Sequence, residues 1–298
     1  MSTIRNILVD AERRLSKAGI DSASVDAAQL MAFVVGVNRN RLILQDSLDE
    51  EDQIQFERLM AKRLNRIPLQ HLTGTAPFRH IDLEVGPGVF IPRPETELVA
   101  EAAIRHLRTC NSPRAFDLCS GSGAIAISMA FEVAGTHVSA VEISDEALPY
   151  LRRNVAAVKS EIAVEIISAD ATDTAVPEFI QAVGTCDVVT CNPPYIPVGM
   201  VPKDPEVRDH EPSLALYGGA DGLDVVRGIV NTAAMLLKRG GLLVIEHADV
   251  QGPESPNGGV VAVIRESHDP ASGVSFFHTV EDRQDYNQLP RFTMAIRA

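Results

Sequence analysis

From Ala115 onward, short apolar stretches alternate with amphipathic ones, and this alternation constrains the fold more than any other feature. Runs rich in β-branched and apolar residues predict strands at 115–118, 137–141, 164–168, 186–191, 242–246 and 291–297. A helical pattern begins at residue 124, and another covers 223–238, closed by Gly240-Gly241. Strands that alternate with helices form parallel sheets. The sequence therefore predicts an α/β fold built on a parallel sheet.

The strand at 186–191 stops abruptly at Asn192-Pro193-Pro194-Tyr195. The two prolines lack N–H donors and fix φ, so neither strand nor helix continues through them. The result is a rigid corner at the carboxyl end of a strand, which is where α/β sheets place their ligand sites. A carboxamide beside an aromatic ring suits a planar group that bears an N–H₂. A proline-stiffened surface loop is the alternative interpretation.

Two features of the preceding strands favour a nucleoside ligand. Cys119-Ser120-Gly121-Ser122-Gly123 is a tight turn before a helix, and its glycines let a ligand approach the backbone. Glu142 ends the next strand, where an acidic residue is placed to bond ribose hydroxyls. The turn fits the dinucleotide pattern G-x-G-x-x-G poorly, because Cys119 takes the first position and the third glycine is missing. A salt-bridging Glu142 is the alternative.

Asp170-Ala171 follow the third strand of this series. From there, Asp170 would accept from an exocyclic amine such as that of adenine, and a solvated turn aspartate is an equally open interpretation. The segment from Pro197 to Tyr217 is long, polar and rich in proline. Segments of this length within compact domains are often lids or binding loops.

The first part of the chain has a different character. Apolar residues recur at helical spacing over 1–72, with Ser22 or Ser24 and Asp49 as candidate helix caps. We expect a helical docking domain over 1–72 and a β-hairpin linker over 73–97, with strands at 81–85 and 89–91 around Gly86-Pro87-Gly88. The segment 98–298 is then the domain that carries the sheet and its ligand site.

Composition excludes several classes of function. The chain has 298 residues and a formal net charge of −13, which argues against unassisted binding to a phosphate backbone. The four cysteines lack paired metal spacing, so no metal site is predicted and reduced thiols in a cytoplasmic protein are expected. Neither a signal pattern nor a long apolar span is evident, which predicts a soluble protein without a membrane partner. We expect a monomer.

These motifs together resemble a known family. Asp117-Leu118-Cys119-Ser120-Gly121-Ser122-Gly123, Glu142 and Asn192-Pro193-Pro194-Tyr195 look like the motifs of class I methyltransferases that use S-adenosylmethionine. The segments Ile91-Pro92-Arg93-Pro94-Glu95-Thr96-Glu97, 206–212 and Gly218-Gly219-Ala220-Asp221-Gly222-Leu223 narrow the resemblance to the protein-(glutamine-N5) methyltransferases that modify peptide chain release factors. The resemblance covers almost the whole chain, and it implies a Rossmann-like sheet with an N-terminal helical domain.

The resemblance also implies roles for single residues. Cys119 to Gly123 would run along the methionine and ribose of S-adenosylmethionine, Glu142 would hold the ribose hydroxyls, and Asp170 with Ala171 would border the adenine. Asn192 would touch cofactor and substrate, while Pro193, Pro194 and Tyr195 would grip the substrate glutamine. This sequence departs from the family at Cys119, where glycine is common, and at Glu142, where many members have aspartate.

Two other functions remain open at this point. The Asn-Pro-Pro-Tyr motif is shared with DNA adenine and RNA guanine methyltransferases, although the acidic balance of the chain counts against a nucleic-acid substrate. A non-catalytic module that only binds S-adenosylmethionine is the third possibility. The intact Asn192 corner and the glycines at 121 and 123 argue against it.

Overall fold

A computed structural model describes residues 3–158 and 163–298. The chain forms two compact units. The first consists of the described part of Met1–Thr75 together with Pro202–His210, and the second of Ala76–Val201 with Glu211–Ala298. The second unit is therefore discontinuous in sequence, because the short segment Pro202–His210 between its two parts belongs to the first unit.

Helices and strands follow one another in an order typical of α/β proteins after an all-helical start. The helices are α1 Ile4–Lys17, α2 Ala23–Val34, α3 Glu50–Leu64, α4 Leu69–Thr73, α5 Thr96–Leu107, α6 Ala124–Glu132, α7 Leu148–Ala157, α8 Pro177–Gln181, α9 Pro205–His210, α10 Ser213–Leu216, α11 Asp224–Leu236 and α12 Gly259–Glu266. The strands are β1 Thr75–Phe78, β2 Ile81–Glu84, β3 Arg114–Leu118, β4 His137–Glu142, β5 Ala163–Ser168, β6 Cys186–Cys191, β7 Leu237–Glu246, β8 Phe277–Gln284 and β9 Pro290–Arg297.

The first unit is a small helical bundle with a core of its own. Leu15, Leu30 and Phe56 are fully buried where α1, α2 and α3 meet. Asp49 caps α3 as predicted, because its side chain accepts a hydrogen bond of 2.8 Å from the N–H of Asp52. The helices α1, α2 and α3 each bury one face and expose the other, which is why their helical spacing is recognisable in the sequence.

Glu206 forms the closest ion pairs between the segment Pro202–His210 and the rest of the first unit. Glu206 pairs with Arg63 and Arg66, each at 2.6 Å, and Arg63 also pairs with Asp26 at 2.6 Å. Burial on its own would raise the pKa of Glu206, but hydrogen bonds with Asp204, Arg63 and Arg66 lower it to about 2. The middle of the segment 197–217 is thus a short helix, α9, which an ion-pair network attaches to the helical bundle.

The second unit contains a seven-stranded sheet in the order β5-β4-β3-β6-β7-β9-β8. Pairing is parallel from β5 to β7 and antiparallel on both sides of β9. Two apolar cores cover the two faces of the sheet. The chain runs from β3 outward to β4 and β5 and then returns to β6 on the other side of β3, so the strand order switches between β3 and β6. Ligands of such sheets bind at this switch, beyond the carboxyl ends of the strands.

The connecting hairpin is present, but it lies earlier in the chain than the sequence pattern predicts. β1 and β2 pair as a two-stranded sheet, whereas the described residues 89–91 form no strand. Val89 and Ile91 are instead buried in the core. A Cβ on Gly86 would lie 2.5 Å from the hydroxyl oxygen of Tyr150, so this segment packs against α7. The alternating pattern identified β2 but assigned it the wrong partner strand.

Further elements differ from the sequence prediction. The strand predicted at 242–246 begins already at Leu237, so Gly240-Gly241 lie inside β7 rather than between elements. The helices α7, α8 and α12 and the strand β8 were not predicted. β8 is mostly exposed and polar, and it therefore lacks the apolar alternation by which strands are recognised.

We expect Glu206→Gln to loosen the segment Pro202–His210. Removing one partner of a buried ion pair costs about 3–5 kcal/mol, and partial exposure of Glu206 reduces this to roughly 1–3 kcal/mol of local stability. Limited trypsin digestion measures the effect as faster cleavage after Lys203 and Arg208. In the wild type, the same protection weakens as the pH falls from the ordinary glutamate value of 4.5 toward about 2, since the folded-state pKa is the lower one.

The matched control is Glu57→Gln, which removes an exposed ion pair with Arg14 within the same unit. Such a pair contributes about 0–1 kcal/mol, so cleavage should change little. Equal cleavage of the two variants would contradict the role given to Glu206.

Candidate functional site

Two loops leave the switch between β3 and β6 side by side. Leu118 and Cys191 are direct partners in the parallel register, and each is the last residue of its strand. The turn that starts at Cys119 and the corner that starts at Asn192 are therefore neighbours. The structure brings together the two motifs that the sequence analysis singled out.

The turn after β3 depends on left-handed backbone at three positions. Cys119, Gly121 and Gly123 have φ values of 65°, 55° and 89°. A Cβ on Gly121 would meet no atom within 4 Å, whereas a Cβ on Gly123 would lie 2.7 Å from Leu151 Cδ1. Gly123 is thus required by packing, and Gly121 leaves open space above the turn. Cys119 adopts a conformation that costs a non-glycine residue roughly 1–2 kcal/mol, and a glycine would adopt it without strain.

Glu142 closes this turn from the neighbouring strand. Its carboxylate accepts hydrogen bonds of 2.7 Å from the N–H of Gly121 and from the N–H of Ser144. The Ser120 N–H donates to the Val141 carbonyl at 2.9 Å, which fastens the turn to β4 as well. Burial raises the pKa of Glu142, and the backbone donors oppose that shift. Each carboxylate oxygen has more than one acceptor site, so these bonds leave capacity for ligand hydroxyls.

Asp117 is a site residue to which sequence reasoning assigned no role. It is buried in β3, and its Oδ1 accepts a hydrogen bond of 2.8 Å from the Thr190 hydroxyl on β6. Its Oδ2 is buried with no hydrogen-bond partner in the part of the chain that the structure describes. Burial raises the pKa of Asp117 to about 7. A charged residue within an otherwise apolar strand, two positions before the turn, was the available signal.

Asp170 and Ala171 follow β5, as predicted. Asp170 is exposed, and its Oδ1 accepts from the N–H of Thr172 at 2.8 Å and from the Thr172 hydroxyl at 2.7 Å. Ala171 is buried, and its carbonyl accepts from the Thr232 hydroxyl at 2.8 Å. Since Glu142 and Ser168 are partners in the sheet register, this loop starts beside the end of β4. It flanks the glycine turn on the side away from Asn192.

The corner after β6 presents its polar groups at the edge of the sheet. Asn192 Nδ2 donates to the hydroxyl of Thr96, the first residue of α5, at 3.4 Å. Pro193 is buried, while Asn192, Pro194 and Tyr195 are half-buried. Burial raises the pKa of the Tyr195 hydroxyl, so this side chain stays neutral. The arrangement offers an amide oxygen, a backbone carbonyl and an aromatic ring.

Close backbone packing holds this corner in place. A Cβ on Gly218 would lie 2.3 Å from the Pro194 carbonyl oxygen, and one on Gly222 would lie 2.2 Å from the Tyr195 carbonyl oxygen. Gln251 Nε2 donates to the Tyr195 carbonyl at 2.9 Å and to the Gly222 carbonyl at 3.3 Å. Gly218 and Gly222 are needed because a side chain at either position would push the corner outward.

Charged residues of the loop before α5 and of the first turn of α5 contact different parts of the structure. The Arg93 guanidinium pairs with Glu211 and lies 5.0 Å from the centre of the Phe90 ring. Glu97 instead accepts from the N–H of Arg79 at 3.0 Å in the hairpin turn. The charged residues of this loop therefore make contacts in two different places, Arg93 with Phe90 and Glu211, and Glu97 with the hairpin turn.

Glu246 is the second site residue without a predicted role. It ends β7, is only 1% exposed, and burial raises its pKa to about 7. The sequence analysis placed this strand correctly at its carboxyl end but gave its last residue no task. A charged residue that ends an apolar strand next to β6 was the signal.

Within residues 3–158 and 163–298, the His, Cys, Asp and Glu side chains form no cluster suited to a metal ion, and no helix has the length and apolar character needed to cross a membrane. The four cysteines are free thiols. Two of them, Cys186 and Cys191, are buried in β6.

Known proteins similar to this chain share both of its parts. Residues 6–74 match the family model of the PrmC N-terminal domain, and residues 81–201 match that of the methyltransferase small domain. A release factor glutamine methyltransferase of Streptomyces coelicolor is 42% identical over 98% of this chain and 97% of its own length. One of Mycolicibacterium smegmatis is also 42% identical, over 100% of this chain and 99% of its own length.

The chain belongs to the family of release factor glutamine methyltransferases. Among solved structures, the T. thermophilus 16S rRNA N2 G1207 methyltransferase (RsmC), in complex with AdoMet and guanosine, matches with a TM-score of 0.50 at 19% identity. That match covers 75% of this chain and 50% of the other, and it supports the class I methyltransferase fold alone. The resemblance stated from the motifs is thus confirmed, as is the Rossmann-like sheet with a helical N-terminal region.

Within this family member, the two glycines of the turn should respond differently to alanine. Gly123→Ala adds left-handed strain and overlaps Leu151 and Ile127, so it should cost about 2–4 kcal/mol of unfolding free energy. Gly121→Ala adds strain only and should cost about 1 kcal/mol. Urea denaturation followed by circular dichroism measures both variants. If the two variants were equally destabilised, the conclusion that the space above Gly121 is open would be wrong.

Proposed function

We propose that this enzyme transfers a methyl group from S-adenosylmethionine to the side-chain amide nitrogen (N5) of a glutamine in peptide chain release factors. One observation carries the proposal: the Leu118–Cys191 register sets the glycine turn beside the Asn192 corner. A cofactor seated on the turn would therefore lie next to an amide-binding corner. The names of the relatives supply the substrate class.

The residues at the turn fit S-adenosylmethionine. A ligand with amino and hydroxyl groups suits three features of the turn. These are the open space at Gly121, the spare acceptor sites of Glu142, and Asp117 Oδ2, which has no hydrogen-bond partner among the described residues. Cys119, Ser120, Gly121, Ser122 and Gly123 would line the methionine and ribose, and Glu142 would hold the ribose hydroxyls. Asp170 and Ala171 would border the adenine, and Asn192 would touch the cofactor from the other side.

S-adenosylmethionine supplies an activated methyl group on a sulfonium. The task left to the protein is to hold a weakly nucleophilic amide nitrogen in line with that methyl group. Such positioning can accelerate methyl transfer strongly. Asn192 Oδ1 and the Pro193 carbonyl would accept hydrogen bonds from the two N–H groups of the substrate amide. These bonds would stabilise the positive charge that develops on the substrate nitrogen. Pro194 and the Tyr195 ring would pack against the flat amide. Burial raises the pKa of the Tyr195 hydroxyl, so the half-buried Tyr195 stays neutral and places no negative charge near the sulfonium.

The chain divides its work between two parts in this proposal. Residues 1–72 form a docking domain for the release factor, 73–97 link it to the remainder, and 98–298 bind the cofactor and carry out methyl transfer. The net charge of −13 supports a protein partner rather than a nucleic acid. We also propose that the enzyme acts as a cytoplasmic monomer.

Mass spectrometry of a purified release factor tests the proposal directly. After incubation with the enzyme and S-adenosylmethionine, one glutamine should gain a single methyl group. Methyl transfer into DNA or RNA with none into the release factor would support a nucleic-acid enzyme instead. Cofactor binding without transfer to either substrate would support a non-catalytic module.

We expect Glu142→Ala to weaken the binding of S-adenosylmethionine by roughly 1.5–3 kcal/mol, the usual contribution of hydrogen bonds to a charged group. Titration calorimetry without substrate measures the change. The control is Glu165→Ala, which removes an exposed carboxylate from the neighbouring strand β5, away from the carboxyl edge. Unchanged affinity in the Glu142 variant would remove this residue from the cofactor site.

We expect Asn192→Asp to lower kcat by about two or more powers of ten, on the order of 3 kcal/mol. The carboxylate cannot donate to Thr96, and its charge would stabilise the sulfonium more in the ground state than in a transition state that disperses the charge. Affinity for S-adenosylmethionine should hold or improve. Asn257→Asp, on an exposed loop, is the control. Near-normal turnover with aspartate at position 192 would refute the mechanism.

The docking role of the first unit predicts a difference between whole and truncated substrates. Ile43 and Leu44 are 88% and 74% exposed, although both are large and apolar. Replacing both with serine should raise the KM for a whole release factor about tenfold or more, since burying such a side chain contributes about 1.5–3 kcal/mol. The KM for a short glutamine peptide should stay within about twofold, because the peptide makes no remote contacts.

Val274→Ser serves as the control for this pair, because Val274 is 61% exposed in the second unit. Equal losses on the release factor and the peptide would contradict docking by the surface around Ile43. Serine variants are preferable to deletion of 1–72, which would also remove the arginine partners of Glu206.

A further inference from the structure

Asn192 is connected to two other polar side chains that come from different elements. Its Nδ2 donates to Thr96 Oγ1 at 3.4 Å, and Thr96 is the buried first residue of α5. The Thr96 hydroxyl in turn forms a hydrogen bond with the Glu246 carboxyl that lowers the pKa of Glu246. The amide of Asn192 is therefore linked, through one hydroxyl group, to a buried carboxyl.

Glu246 lies level with Asn192 at the edge of the sheet. Cys191 and Ile245 are partners in the parallel register of β6 and β7, so the next residue of each strand, Asn192 and Glu246, stand side by side. Glu246 Oε2 has no hydrogen-bond partner within residues 3–158 and 163–298. A buried carboxyl that is only partly hydrogen-bonded destabilises a fold. Its presence at this edge therefore calls for a reason other than stability.

The direction of the hydrogen bonds supplies that reason. A threonine hydroxyl has one proton to donate, and an asparagine amide presents an oxygen on one side and an N–H₂ on the other. When ionised Glu246 accepts the Thr96 proton, Thr96 Oγ1 remains an acceptor and receives Asn192 Nδ2–H. Asn192 Oδ1 then faces away from Thr96. Without that acceptor, the Thr96 proton is free to bond Oδ1 of a flipped amide.

We propose that Glu246 is a positioning residue that fixes, through Thr96, which side of the Asn192 amide faces the substrate. This inference rests on the proposed role of Asn192 Oδ1 as the acceptor for the N–H₂ of the substrate glutamine. A flipped amide would turn its own N–H₂ toward that N–H₂. Two donors facing each other leave both unsatisfied, so the flipped form does not hold the substrate nitrogen for methyl transfer.

The protonation of Glu246 controls this arrangement. Burial raises the pKa of Glu246 to about 7, while its hydrogen bond with Thr96 and the charge of Arg291 act in the opposite direction. Other charged or titratable groups that face it are Arg93 and Glu95 before α5, the Cys191 thiol at the end of β6 and Tyr195 after β6. Protonated Glu246 has an O–H of its own to donate to Thr96, which releases the Thr96 proton toward Asn192.

The fraction of correctly oriented Asn192, and kcat with it, therefore rises as the pH increases through about 7. Asp117 also has a pKa of about 7, so the wild-type profile alone does not identify the group. Variants of Glu246 and Thr96 do, because neither changes Asp117.

The experiment measures kcat against pH with the full-length enzyme, a release factor and S-adenosylmethionine. Glu246→Gln carries an N–H₂ that can donate to Thr96 at every pH, so kcat at pH 8 should fall about 10- to 100-fold and its rise through about 7 should disappear. Thr96→Val, which keeps the shape but lacks the hydroxyl, should show the same loss. Thr96→Ser should restore both kcat and the rise. The double variant should be no slower than the slower single one, since both act through one contact.

Affinity for S-adenosylmethionine, measured by calorimetry, should stay within about twofold in each variant, because the effect falls on substrate orientation. Asp187→Asn is the matched control: it removes another buried carboxyl from the same sheet, at the amino end of β6. This variant should keep the pH-dependent rise in kcat. If Glu246→Gln fails to fold, the Thr96→Val and Thr96→Ser pair decides alone.

A pH-dependent rise that persists in Glu246→Gln, or wild-type turnover in Thr96→Val, would overturn the positioning role while leaving the proposed function intact. A wild-type enzyme that methylates no release factor would overturn the proposed function and this inference with it.

Discussion

The parallel register of β3, β6 and β7 is the constraint on which the rest of the site depends. Leu118, Cys191 and Ile245 stand in one row across these strands. The next residue of each strand therefore lies at the same edge of the sheet. These residues are Cys119, which begins the glycine turn, Asn192, which begins the proline corner, and Glu246, the last residue of β7. Backbone hydrogen bonds set this row, so a shift of one residue would turn the side chains to the opposite face of the sheet. The relative positions of the site residues are therefore set by the sheet rather than by the loops.

This edge concentrates carboxyl groups that are costly to bury. Burial raises the pKa values of Asp117 and Glu246 to about 7 and also raises that of Glu142. Such groups destabilise the free protein unless a ligand or a neighbour uses them. Glu142 is compensated by the N–H groups of Gly121 and Ser144, which also shape the turn. Clustered pKa shifts of this kind are typical of functional sites.

The sequence allowed prediction of those parts of the fold and site that are local in the chain. Strand ends, the glycine turn, Glu142 and the proline corner each carry their signal within a few residues. The attachment of Pro202–His210 to the helical bundle was not predictable, because it depends on Glu206 meeting Arg63 and Arg66 from a distant part of the chain. The hairpin partner was misassigned for a related reason, since Val89 and Ile91 are buried in a core built from residues that are distant in the chain. Thr96 and Glu246 likewise become neighbours only through the sheet.

An amide substrate makes the orientation of the binding amide as important as its presence. Asparagine at position 192 offers a donor and an acceptor of nearly identical shape, so packing alone distinguishes them poorly. Packing of Gly218 and Gly222 against the corner holds its backbone, but it does not determine which side of the side-chain amide turns inward. A hydrogen bond of defined direction does, and the Thr96 hydroxyl provides one. The rigid corner fixes where the substrate nitrogen is held, and the polar side chains behind it decide whether that nitrogen meets an acceptor.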